Sequence, residues 1–169
     1  MKRALKCWFL LALTITFTLN ACNQVSDDAE IGTGSGQVEF QGNTYQLDAS
    51  DMYIILNDGF PPLHQINIWK KGQRTIFIIT IKSTSNSELI AGTYTCENIN
   101  STQFTYGSIF GFGTADGNVF EPILEISKEG KIYDIVFTAY TSSEGEQLDE
   151  HKVTVTWSGT LPVAAVRQF

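Results

Sequence analysis

Acid and base residues that could form a catalytic site are few in this chain and far apart. There are two histidines, His64 and His151, and no Gly-x-Ser-x-Gly motif that would mark a serine nucleophile. Glu121 and Glu125 share a face of one predicted strand, but four residues at about 3.3 Å each separate them by about 13 Å. Because hydrolysis requires a nucleophile with a base or two facing carboxylates, the sequence predicts no enzymatic activity. A glycan hydrolase is the third alternative, behind two non-catalytic ones.

A group of carboxylates late in the chain could hold a hard cation through oxygen ligands. Glu144, Glu146, Asp149 and Glu150 precede His151 in a predicted hairpin. Their spacing matches no defined calcium loop, and a solvated acidic hairpin explains the same residues. We therefore expect no metal and no cofactor.

Three of the basic residues of this acidic chain cluster beside a tryptophan. Trp69 lies on the polar phase of its predicted strand, and Lys70, Lys71 and Arg74 follow it. An exposed aromatic side chain beside cations is suited to contact a sugar ring, an acidic glycan or a partner protein. The alternative is a hairpin tip whose lysine stems cover apolar surface.

A second candidate surface is aromatic and rich in glycine. Tyr106, Phe110 and Phe112 are interleaved with glycines, from the end of one predicted strand into the loop that follows it. Such residues could line the mouth of a barrel, where ligand pockets commonly form. The alternative is that they close one end of the hydrophobic core.

The start of the chain has the three parts of a secretory signal peptide. Lys2, Arg3 and Lys6 precede an apolar stretch over residues 8–19, and the small residue Ala21 ends it. The apolar stretch is shorter than the roughly 20 residues that a membrane-spanning helix needs. Residues 1–21 are therefore predicted to be a cleaved leader.

The residues at the end of this leader, Leu19-Asn20-Ala21-Cys22, resemble the bacterial lipobox. The resemblance implies that Cys22 carries diacylglycerol on its thiol and a further acyl chain, such as palmitate, on its amino group. Several chains together hold a protein on a membrane, whereas a single chain binds only marginally. A plain secretory signal with a coincidental cysteine is the alternative.

Ser26, Asp27 and Asp28 resemble the export tag that follows the lipidated cysteine in surface lipoproteins of Bacteroidetes. This resemblance implies an outer-membrane lipoprotein at the cell surface. The alternative is a solvated acidic linker, with the protein on the periplasmic face.

Composition limits the remaining possibilities. The leader accounts for 21 of the 169 residues and for three of the eleven Lys and Arg residues, so eight basic residues face eighteen acidic ones in a mature chain of 148. A chain of that length forms one domain, and its acidic balance argues against binding to nucleic acid. Cys96, the one cysteine beyond Cys22, is expected to be buried as a small apolar residue.

Apolar residues alternate with polar ones from residue 37 onward, which is typical of half-buried strands. Residues 22–36, with their Gly/Ser-rich end, are predicted to be a flexible linker, and 37–169 a single β-domain. Gly and Asn at the turns favour antiparallel hairpins. We predict an antiparallel meander that closes into a β-barrel, or else a two-sheet sandwich. The predicted strands cover 37–41, 44–49, 52–56, 64–70, 75–82, 93–96, 103–109, 119–127, 132–141 and 151–160.

Three segments of this domain resemble the small lipocalin-like β-domains of Bacteroidetes lipoproteins: Phe40-Gln41-Gly42-Asn43-Thr44-Tyr45, Ala91-Gly92-Thr93-Tyr94 and Thr156-Trp157-Ser158-Gly159-Thr160-Leu161. The resemblance covers roughly residues 37–162 and implies a barrel, with no set of functional residues. We therefore expect a lipid-anchored binding module for a small apolar or sugar ligand or for a partner protein. A structural subunit of a surface complex is the alternative.

Overall fold

A computed structural model describes residues 30–73, 75–106, 109–113, 120–140 and 152–169. For residues 75, 103–106, 109–113 and 120 the description covers the backbone but not the side chains. The predicted leader, Cys22, Arg74 and the acidic segment 144–151 lie outside these ranges. No helix long and apolar enough to cross a membrane occurs within them.

The described chain is all-β, as predicted, and forms a single sheet of eleven strands. The order across the sheet is β5-β8-β9-β10-β1-β2-β3-β4-β6-β7, and β11 pairs with β2. All neighbours are antiparallel except β11 and β2, which are parallel. The strands are Gly32–Phe40 (β1), Asn43–Leu56 (β2), Leu63–Trp69 (β3), Thr75–Lys82 (β4), Gly92–Tyr94 (β5), Ile99–Tyr106 (β6), Ile109–Gly113 (β7), Phe120–Glu129 (β8), Ile132–Tyr140 (β9), Lys152–Thr160 (β10) and Val163–Gln168 (β11).

The sheet curls until its two halves meet, which forms a nearly closed barrel of the lipocalin-like kind. Phe77 on β4 and Phe137 on β9 lie five strands apart in the sheet order, a distance of about 24 Å in a flat sheet. Their ring centroids are nevertheless only 5.3 Å apart. The barrel prediction is therefore confirmed, and a two-sheet sandwich is not formed.

Inward-facing side chains from all around this barrel form one hydrophobic core. On β4 the buried apolar residues are Phe77, Ile79 and Ile81, and the facing strands also contribute apolar side chains to the core. Leu89, from the segment between β4 and β5, is also fully buried in this core. The described interior is thus filled by side chains in mutual contact, as in small barrels generally.

The barrel has two ends, which we name from the start of β1. At the proximal end lie the first residue of β1 and the connections 57–62, 83–91, 130–131 and 161–162. At the distal end lie the turn 41–42 and the β3–β4 hairpin turn that follows Trp69. The chain therefore enters the barrel at its proximal end.

The glycine-rich residues 32–36, predicted to belong to a flexible linker, form the first half of β1. A Cβ atom on Gly34 would lie 2.3 Å from the Ser158 carbonyl oxygen and 2.7 Å from Cζ2 of Trp157. Glycine is required here because β1 passes so close to β10, not because the chain is a linker. The linker prediction for these residues is wrong.

Four other predictions about local structure need correction. β2 is one continuous strand through Asp51, where a break was expected, because β3 pairs with it without interruption from Ala49 to Ile55 and the Asn67 side chain binds the Asp51 carboxylate. β7 and β11 were not predicted as separate strands. Cys96, expected in a buried strand, is exposed in the turn after β5.

Candidate functional site

Trp69 is the last residue of β3 and lies on the outer face of the barrel wall. Its neighbours Ile66 and Ile68 are fully buried, whereas Trp69 is half-buried. Directly opposite Trp69 on β4 is Ile76, which is 36% exposed. Trp69 and Ile76 together form an outward-facing apolar pair near the distal end of the barrel.

The strand register extends this pair across the sheet toward the second candidate surface. Ile76 is opposite Thr105 on β6, and Thr105 is opposite Phe110 on β7. Three strand spacings separate Trp69 from Phe110, which is about 14 Å between their backbones. The fold thus places two groups of candidate residues, far apart in sequence, on one cross-strand row.

The other two aromatic candidates are near this row in the backbone. Tyr106 ends β6 opposite Ile109, and Phe112 lies on β7 two residues after Phe110. The structure does not describe the side chains of these three aromatic residues, so their contribution to the site remains a prediction.

A strip of polar side chains runs along β3 beside the apolar pair. The Gln65 side-chain amide donates to Oδ1 of Asn67 at 2.9 Å, and the Asn67 side-chain amide donates to the Asp51 carboxylate at 2.5 Å. Burial raises the pKa of Asp51, while the Asn67 hydrogen bond and the charge of Arg167 oppose that shift. The strip is therefore held in a fixed arrangement next to Trp69. We call Gln65, Asn67, Trp69, Ile76 and Ile78 the β3–β4 wall.

The basic residues beside Trp69 are partly neutralised. The Lys70 ammonium group donates to Asp48 at 2.7 Å, and the Lys71 backbone amide donates to the other oxygen of the same carboxylate at 2.8 Å. The pKa of Asp48 is lowered, chiefly by the hydrogen bond from Lys70 and to a smaller extent by the bond from the Lys71 backbone amide. Lys71 keeps an exposed side chain, and Arg74 lies outside the described residues. The contacts of Lys70 and Lys71 hold the β3–β4 hairpin turn in place directly after Trp69.

Two open depressions occur elsewhere on the surface. One, of about 250 Å³, lies at the distal β1–β2 turn between Glu39 and Lys152. The other, of about 230 Å³, lies at the proximal end between Lys128 and Pro162. Neither depression is lined by the inward-facing side chains of β3 or β4.

His64 is a core residue. Its side chain is fully buried, and Nε2 carries a proton, because it donates to the Ser85 carbonyl oxygen at 2.9 Å. Burial lowers the pKa of His64, and the bond to Ser85 only partly opposes that shift. His64 thus ties the 83–91 segment to β3 at the proximal end. Its other ring nitrogen, Nδ1, is buried without a hydrogen-bond partner among the described residues.

The acidic candidates do not come together in the described part of the chain. Glu121 and Glu125 are both exposed on β8, in agreement with the solvent face expected for them. Within the described ranges no three His, Cys, Asp or Glu residues are grouped so that they could hold a metal ion. The predicted acidic hairpin that includes Glu144, Glu146 and His151 lies outside those ranges.

Sequence reasoning missed Ile76 and the polar strip as parts of the same surface. The alternation along β4 indicates that Ile76 and Ile78 face away from Phe77 and Ile79, so the outward phase was available in the sequence. The pairing of Trp69 with Ile76 and the bond from Asn67 to Asp51 depend on strand register, which one sequence does not supply.

Comparison of the chain with protein-family models, with curated proteins and with solved structures returns no match.

Proposed function

We propose that this protein is a lipid-anchored binding module of the cell envelope that recognises a glycan on the β3–β4 wall. Cys22 would hold it in the outer membrane, at the cell surface. The proposal assigns it no catalytic step, cofactor or metal, and no nucleic-acid partner.

The observation that carries this proposal is the outward-facing pair of Trp69 and Ile76. Both side chains present apolar surface to solvent although the strands behind them have a complete core. An indole face is suited to stack on the apolar face of a sugar ring, because it is large, flat and rigid. The half-buried Gln65 side chain beside them offers an amide group that can pair with sugar hydroxyls, and the buried Asn67, bonded to both Gln65 and Asp51, holds that side chain in place.

Contacts inside the barrel favour the outer wall over an interior site for a small apolar ligand. Phe77 and Phe137 meet across the barrel, and Leu89 fills the core from the proximal end. A ligand in that space would have to displace side chains that are fully buried. The wall requires no such rearrangement.

A printed panel of neutral and acidic oligosaccharides, probed with the mature protein, tests this proposal. We expect Trp69→Ala to weaken binding to the recognised sugars at least about tenfold, the effect of losing a central aromatic contact. Ile123→Ala is the matched control, because Ile123 is an exposed apolar residue on the other side of the barrel, on β8. Equal affinities for the parent protein, Trp69→Ala and Ile123→Ala would contradict the proposal.

Assembly with another protein is the second candidate function. It is favoured by the sheet order, in which β5 and β7 are the two edge strands. Each of them pairs with one strand among those described. Edge strands can accept a strand from another chain through backbone hydrogen bonds. Co-purification of a stoichiometric partner that is lost when Ile109 or Gly111 is replaced by proline would support assembly.

A further inference from the structure

Most of the exposed apolar side chains of the described barrel lie at its proximal end. Of the ten large hydrophobic residues that are exposed among the described residues, seven lie at or beyond the proximal ends of the strands. Ile132, at the start of β9, is one of them. The other six are Ile31, Phe60, Ile90, Val163, Val166 and Phe169.

The two most exposed of these side chains lie side by side in the backbone. Phe60 is 73% exposed in the β2–β3 connection, and its amide donates to the Asn57 carbonyl oxygen at 3.1 Å. Phe169 is 72% exposed, and its amide donates to the carbonyl oxygen of the adjacent residue, Leu56, at 3.0 Å. Val166, 56% exposed on β11, precedes Phe169. Phe60, Val166 and Phe169 are therefore exposed near one another at the proximal end, and we call them the apolar tip.

The segment that would carry the lipid anchor joins the barrel at this same end. Gly32 starts β1 there, and the Thr33 amide donates to the Thr160 hydroxyl group at 3.0 Å. The ten residue steps from Cys22 to Gly32 span at most about 35 Å even when fully extended. A bilayer that holds Cys22 is therefore within reach of the apolar tip.

From these observations we propose that the proximal end of the barrel docks on the bilayer surface that holds the anchor, with Phe60 and Phe169 inserted among the lipids. The inference rests on the lipid anchor of the proposed function. It adds an orientation: the distal end, and with it Trp69, faces away from the membrane. The glycan-binding wall would then be presented to the cell exterior.

Charge at this end is balanced, so apolar contact is the attractive force. Four Lys and Arg residues and five Asp and Glu residues are exposed there: Lys82, Lys128, Lys131, Arg167, Glu30, Asp58, Glu88, Glu97 and Glu129. Electrostatic attraction to anionic lipids requires an excess of Lys and Arg, which these residues do not provide. Docking should therefore persist at high salt.

Fluorescence quenching of the full chain, purified with its lipid and reconstituted in vesicles, tests the docking. Phe60→Trp places an indole at the apolar tip, and Ile123→Trp places one on the β8 wall as the matched control. The vesicles contain phosphatidylethanolamine and phosphatidylglycerol, with either ordinary or dibrominated acyl chains. Because interfacial side chains reach about 5–10 Å into the lipid, we expect brominated lipid to lower the added emission of Phe60→Trp at least about twofold. The added emission of Ile123→Trp should not change.

The intact mass of the same samples separates the two ways in which this account can fail. If the acyl chains are present and Phe60→Trp is quenched no more than Ile123→Trp, the docking inference is overturned while the anchor stands. Emission from Phe60→Trp that responds to protein concentration but not to brominated lipid identifies a second copy as the occupant, which also overturns it. Quenching that is lost at high salt contradicts the apolar mode of docking. A mass without acyl chains overturns the anchor and the docking together, but leaves the Trp69 glycan test untouched.

Discussion

The two tryptophans of the described barrel, Trp157 and Trp69, lie on opposite faces of one sheet and in contrasting surroundings. Trp157 is 2% exposed and is enclosed by glycines of β1 and β10 that leave room for its ring. Trp69 is half-buried at a hairpin tip, beside an exposed isoleucine and a polar strip. Trp157 has the surroundings of a core residue. Trp69 has the surroundings expected of a residue on a contact surface. Loss of the first should change stability, and loss of the second should change binding.

The largest effect is expected from Trp157→Ala. Removing a large core side chain costs about 3–5 kcal/mol, because the cavity collapses only in part. Trp69→Ala should lower the free energy of unfolding by less than about 1 kcal/mol, as is usual for residues outside the core. Urea denaturation of both variants measures the difference. If both variants lost a similar amount of stability, Trp69 would be a core residue, and the contrast between the two tryptophans would not hold.

Gly159→Ala should have the next largest effect on stability. A Cβ atom there would lie 2.5 Å from the Thr33 carbonyl oxygen, 2.6 Å from Cα of Gly34 and 2.8 Å from Cζ2 of Trp157. Overfilling of this kind costs about 1–3 kcal/mol. Ser158→Ala, at the exposed neighbouring position, should change stability by less than about 0.5 kcal/mol. A Gly159→Ala variant as stable as the parent protein would contradict the close approach of β1 to β10.

A pH dependence should follow from His64, whose pKa is lowered in the folded state chiefly by burial. Below the ordinary pKa of about 6.5, the unfolded chain binds a proton at this residue that the folded chain does not bind. The free energy of unfolding should therefore fall as the pH drops from about 6.5 toward the folded pKa, by up to about 1.4 kcal/mol per pH unit. Above pH 6.5 this contribution is constant.

Urea titrations between pH 5 and 7.5 check this expectation with two matched variants. His64→Gln should lose the slope, and His151→Gln should keep it, since the chain has only these two histidines. A slope that disappears in His151→Gln instead would show that His64 is not the titrating group.

The smallest effect concerns Cys96, which is exposed in the turn after β5. A thiol reagent should modify it fully in the folded protein, and Cys96→Ser should alter stability by less than about 0.5 kcal/mol. The assay uses mature chain with Ser in place of Cys22, so that one thiol is counted. If Cys96 reacted only in denaturant, it would be buried, as expected from the sequence.

Much of the fold could be predicted, because the alternation of apolar and polar residues along a strand indicates which face of the strand is buried. The inward phase of Ile66 and Ile68 and the outward phase of Trp69 follow from period two alone. The glycines at 32–36 were misread because composition does not distinguish a flexible spacer from a strand forced close to another backbone. Which residues lie opposite one another depends on strand register. The row from Trp69 through Ile76 and Thr105 to Phe110 crosses four strands, and no local pattern connects the β3–β4 hairpin to β6 and β7.

Isoleucine methyl NMR tests the central claim, recognition outside a filled barrel, most directly. β4 carries Ile76 and Ile78 on its outer face and Ile79 and Ile81 on its inner face, so one strand supplies both the reporters and their controls. The spectrum is recorded while the oligosaccharide identified by the panel is titrated in. The account predicts saturable shifts at Ile76 and Ile78 and unchanged methyl signals at Ile79 and Ile81. Shifts confined to Ile79 and Ile81 would place the ligand inside the barrel and contradict it.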